Sequence, residues 1–183
     1  MKPDAQHNPY APPTSATEAA PAVWPTSGPV GLSGWLVLVG LGLVITPFRL
    51  AIFLLQTFPP IFSDGTWGTL TTPGSAPYHP LWAPLLLAEM AINSIFILMS
   101  IYLLFLFFRK SVRFPRLYIL FLLSNLAFLL ADAFAVTIVL PSQPFMDPNT
   151  AREFGRSVFA ACIWVPYLFL SKRVKNTFVR TDA

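Results

Sequence analysis

Charge is scarce in this chain of 183 residues: Asp, Glu, Lys and Arg make up only 11% of it, against about 25% in soluble domains. With 55% hydrophobic residues and a mean hydropathy of +0.61, the composition is that of an integral membrane protein. Cysteine is nearly absent. Cys162 stands alone inside an apolar run, which excludes an intrachain disulfide and a multi-cysteine metal site. The two histidines, His7 in the N-terminal tail and His79 at a loop end, supply no His-rich metal or haem site. Neither a Walker loop nor a dinucleotide glycine loop occurs. Ser171 precedes Lys172, but the surrounding "SKRVK" reads as a phospholipid-facing anchor at a membrane boundary rather than a nucleophile pair. The expectation is a protein that is not an enzyme and has no cofactor or metal.

The net charge of +4 invites a nucleic-acid reading. The placement of the basic residues opposes it, since they form short clusters beside apolar spans, as topology signals do. No nucleic-acid partner is expected.

What the chain has is apolar length. Residues 1–32 are rich in Pro, Ala, Ser and Thr and are expected to be a disordered cytoplasmic tail, with polyproline character around "NPYAPP". A transmembrane domain is expected over 33–175, with helices at about 33–58, 81–108, 117–140 and 148–171, followed by a short C-terminal tail at 176–183. The fold class is therefore all-α: a polytopic bundle of four transmembrane helices. The fourth helix has a specific start, with Asp147 at the N-cap and Pro148 at the first helical position.

Loop charge orients the bundle. Arg109, Lys110, Arg113 and Arg116 crowd one connection and Lys172, Arg173, Lys175 and Arg180 the C-terminal tail, whereas residues 59–80 hold no Lys or Arg. The positive-inside rule puts both termini and the 109–116 loop in the cytoplasm. Lys172, Arg173 and Lys175 are then expected to anchor the protein to anionic lipid headgroups.

The few charges inside the spans are the candidate site. Arg49, Glu89 and Asp132 sit on three different helices about 13–15 Å below the outer surface, and Arg156 on the fourth lies within reach. Asn93 and Asn125 share their helical stripes. A charge at such depth has a partner or a task by default. Two uses are open: a buried cluster of Arg49, Glu89, Asp132 and Arg156 that fixes helix register, or a carboxylate pair that holds a proton or a cation.

"GLSGWLVLVGLGLVITPFRL" at residues 31–50 and "IWVPYLFLSKRVKNTFV" at 163–179 resemble the bacterial domain-of-unknown-function family 2569, which includes the YdgK-like four-helix inner-membrane proteins. The resemblance covers roughly 31–179. It implies a multi-pass protein of the bacterial cytoplasmic (inner) membrane and carries over no activity. Small size, short loops and absent catalytic chemistry favour a non-catalytic accessory or scaffold subunit whose partner is another integral membrane protein or complex. The alternative is a small transporter or proton-coupled carrier using Glu89 and Asp132, although no internal repeat is evident.

The orientation has a direct check. With Cys162 replaced, Leu70→Cys is expected to react with an impermeant thiol reagent on intact cells and Val112→Cys to be protected. The reverse pattern would invert the topology.

Overall fold

A computed structural model describes residues 28–180 of the chain. The "NPYAPP" segment and most of the expected N-terminal tail lie outside the described residues, as do positions 181–183. Four long helices are present: α1 (Trp35–Ser63), α3 (Trp82–Arg109), α4 (Phe114–Val139) and α5 (Pro148–Leu170), with two short ones, α2 (Thr66–Thr71) and α6 (Lys172–Thr177). No strand occurs among the described residues; one isolated bridge joins Ser111 to Arg180. All four long helices are long and apolar enough to cross a membrane. The protein is a multi-pass helical membrane protein.

α1 packs along α3, α3 along α4 and α4 along α5, whereas α1 and α5 do not pack closely on each other. What brings these two together is local. Trp35 at the start of α1 meets Trp164 of α5 edge to face at 6.3 Å, a favoured geometry for aromatic quadrupoles.

The packed core is lopsided. Leu36, Val39 and Leu43 of α1, Leu103, Leu106 and Phe107 of α3, and Phe114 and Tyr118 of α4 are buried together. All lie at the end of the bundle that carries the α3–α4 turn. Phe178 enters the same cluster, stacked on Phe114 at 4.7 Å and lying 5.8 Å from Phe107. Residues 176–180, expected as a tail beyond the bundle, are thus part of it. The reason is hydrogen bonding as well as apolar burial: Val112 donates to the Arg180 carbonyl at 2.9 Å, Arg180 donates to the Lys110 carbonyl at 3.2 Å, and Gly31 donates to the buried Thr177 hydroxyl at 2.9 Å.

Helix ends depart from the sequence reading in two places. α1 continues through Pro59 and Pro60 to Ser63 rather than stopping near 58. The fixed φ of proline is compatible with a helix, although Pro59 and Pro60 cannot donate to the carbonyls of Leu55 and Gln56; the turn beyond them is followed by a ring contact of Phe62 with Trp67 of α2 at 5.1 Å. α4 begins at Phe114, three residues earlier than expected, with Pro115 in its first turn, where the missing N–H is not needed. The turn before it closes on Lys110 in the left-handed region, φ 55°, its N–H bonded back to Leu106 and Phe107.

Gly40 is a point of close approach of α1 to α3. A Cβ there would lie 2.9 Å from Cε1 of Phe107, a ring already wedged against Phe114 and Phe178. At Gly42, one residue pair along, a Cβ would meet nothing within 4 Å. Gly40→Ala is expected to destabilise the bundle by about 1–3 kcal/mol through overpacking, whereas Gly42→Ala is expected to be neutral or slightly stabilising because alanine is the better helix former. Thermal unfolding of the two variants in one detergent checks this. Equal stability would show that α1 and α3 do not approach through Gly40.

Candidate functional site

Away from the aromatic end the helices enclose a cavity of about 400 Å³. Each long helix supplies one wall. α1 contributes Arg49, Leu50 and Phe53; α3 contributes Glu89 and Asn93. Asn125, Phe128, Leu129 and Asp132 come from α4, and Asn149, Thr150, Glu153, Arg156 and Ser157 from the first three turns of α5. All six of the expected polar and charged residues, Arg49, Glu89, Asn93, Asn125, Asp132 and Arg156, therefore face one space. Helical spacing is the cause: Glu89 and Asn93 are four apart on α3, and Asn125 and Asp132 seven apart on α4, so each pair lies on one stripe.

The expectation of a buried cluster is corrected. None of the four charged residues is buried: Glu89 and Asp132 are half-buried, and Arg49 and Arg156 are exposed. Among the described residues no guanidinium nitrogen comes within 4.0 Å of a carboxylate oxygen. The arginines stand on α1 and α5, which do not pack closely on each other, and the carboxylates on α3 and α4, which do. Charges held apart around a space do not lock helix register as contacting ion pairs would.

The amides behave differently from each other. Asn125 accepts a hydrogen bond from the Ser157 hydroxyl at 3.4 Å, joining α4 to α5. Asn93 is only 7% exposed, and its side-chain N–H donates to the Glu89 carbonyl at 2.9 Å. Its Oδ1 accepts nothing among the described residues, and since no buried side-chain polar atom among them lacks a partner, this oxygen is accessible on a residue that lines the cavity.

Glu153 lies outside the expected charge cluster of Arg49, Glu89, Asp132 and Arg156. It lines the cavity as well, one turn before Arg156, and is exposed. Its signal in the sequence was its position three residues from Arg156. Glu89, Asp132 and Glu153 do not converge into a set that could hold a metal ion among the described residues. At the other end of the bundle, Lys172 and Lys175 are exposed, whereas the Arg173 guanidinium is hydrogen-bonded to the Ser33 hydroxyl. Of the three expected anchor residues, Arg173 thus holds α6 to the start of α1.

One comparison with known proteins finds a family. Residues 29–179 match the model of the family described as "Protein of unknown function (DUF2569)". The chain belongs to this family. No curated protein and no solved structure gives a match. Membership in DUF2569 covers all four long helices and the α6 segment and brings no chemistry with it, so function has to be argued from the cavity.

The first turn of α5 is part of the cavity wall, and its cap is well defined. Asp147 accepts from the Asn149 amide at 2.8 Å and the Thr150 amide at 3.4 Å and is bonded to the Thr150 hydroxyl. The Thr150 hydroxyl first, and the Asn149 amide next, hold its carboxyl below the ordinary 3.8. A carboxyl lowered in the folded state contributes fully above its unfolded value and loses that contribution as pH falls through the lower folded one. Asp147→Ala is expected to speed hydrogen exchange at Asn149–Ala151, and acidification of the unaltered protein below that range is expected to do the same. Asp147→Asn, still an acceptor, is expected to exchange close to the unaltered rate. Unchanged exchange in the alanine variant would remove the cap from the account of the wall.

Proposed function

We propose that this DUF2569 protein is a non-catalytic, multi-pass protein of a bacterial cytoplasmic membrane that binds a small polar ligand in its intramembrane cavity. The observation that carries this reading is the separation of Arg49 and Arg156 from Glu89 and Asp132 across a space of about 400 Å³, a size typical of small-molecule pockets, roughly 300–1,000 Å³. Charged side chains placed within membrane helices serve a ligand or each other. Here they line an opening and do not contact each other, which favours the ligand. The basic residues of the α3–α4 turn and of α6 favour the cytoplasm for the aromatic end, and the cavity then lies in the outer half of the bundle. From there the ligand would be held for transport or for sensing by a larger complex.

The test is thermal stability of the purified protein across a panel of soluble amines, anions and zwitterions. A binding protein is expected to be stabilised by at least one class, and the double variant Glu89→Gln, Asp132→Asn is expected to lose that response. Absence of any response, together with a stoichiometric integral membrane partner in mild detergent, would overturn the ligand reading in favour of an accessory subunit.

A further inference from the structure

The arrangement of charge around the cavity is specific enough to name a class of ligand, given the ligand-binding reading above. The positive groups belong to the two helices that do not pack closely on each other: Arg49 on α1 and Arg156 on α5, both exposed. The negative groups belong to two helices that pack together: Glu89 on α3 and Asp132 on α4, both half-buried and lining the same cavity. A cation in that cavity has two carboxylates to meet it. An anion there is met by two guanidinium forks, which match the oxygens of phosphate.

Two further facts narrow the chemistry. With Glu153 included, the lining holds two arginines against three carboxylates, so a ligand of net negative charge, such as free phosphate or an acidic lipid, is disfavoured. The third acceptor of the lining is the Oδ1 of Asn93, which accepts nothing among the described residues and is accessible. Carboxylates and this amide oxygen offer acceptors to N–H donors, and a primary ammonium has three. A quaternary ammonium has none.

We propose that the cavity binds a zwitterionic phosphodiester of ethanolamine, its ammonium among Glu89, Asp132 and Asn93 and its phosphate between Arg49 and Arg156. The gap between α1 and α5 admits such a group as the headgroup of a bilayer phospholipid. The polar lining by Asn149 and Thr150 at the start of α5 admits it as a free solute from the aqueous side.

The full chain in detergent separates the two sources. One arm adds free glycerophosphoethanolamine or glycerophosphocholine, both phosphodiesters of zero net charge, and reads thermal stability. The other reconstitutes the protein in phosphatidylcholine vesicles containing phosphatidylethanolamine or phosphatidylglycerol and reads lipid retained in native mass spectrometry. The ethanolamine form is expected to win in at least one arm. Arg49→Gln, at an exposed position that leaves packing intact, is expected to weaken its binding about tenfold or more through loss of a charge-assisted bond. Glu89→Gln with Asp132→Asn is expected to abolish the preference over the choline form. Equal binding of the choline or glycerol forms, or a preference that survives the double variant, would overturn the proposal. A different compound stabilising the protein in the wider panel would then leave the ligand-binding reading standing, while no response to any compound would remove both.

Discussion

Three aromatic rings hold this bundle together at one end, and their packing shapes the rest. Phe107 of α3, Phe114 of α4 and Phe178 beyond α6 lie within 4.7–5.8 Å of one another, and Gly40 lets α1 close on the same group. Lipid tails are as apolar as leucine, so burial alone does not drive membrane helices together; close fit and hydrogen bonds do. Where that fit is concentrated, four elements converge. Where it lapses, beyond Leu50 on α1 and Phe96 on α3, few side chains are buried and the cavity begins.

The polar residues divide along the same line. Thr46, Ser94, Ser100 and Thr137 return their hydroxyls to carbonyls three or four residues back on their own helices, which removes their need for a partner and makes them compatible with lipid or core. Arg49, Glu89, Asp132 and Arg156 cannot do this, since a charge is not neutralised by its own helix. They share the cavity instead. A bundle with a dense, aromatic end and an open, charged half has separated the residues that hold the fold from the charged residues that line the cavity.

α5 connects the two. Its beginning, capped by Asp147, lines the cavity, and its end packs Leu168 and Trp164 against the aromatic cluster. Its contact with α1 is made through Trp164 and Trp35, so the two helices join at one end and part at the other. The charged residues of the two helices therefore line the cavity without forming an ion pair.

The sequence alone determined the helical class, the four spans and the stripe positions, because apolar length and a 3.6-residue period are local properties that survive any packing. It also determined that Arg49, Glu89, Asn93, Asn125, Asp132 and Arg156 would face one another, since polar groups in four apolar helices have one common interior to share. Local signals misjudged the end of α1, where Pro59 and Pro60 read as a stop yet the helix continues to Ser63. They also misjudged residues 176–180, whose few apolar side chains gave no sign that Phe178 has a ring stack waiting for it. Only the tertiary structure decided whether the facing charges would touch. Contact or separation depends on the distance between α1 and α5, which is set by the packing of Trp35, Gly40 and the phenylalanine rings more than a helical turn away, and no stripe or spacing on a single helix records that distance.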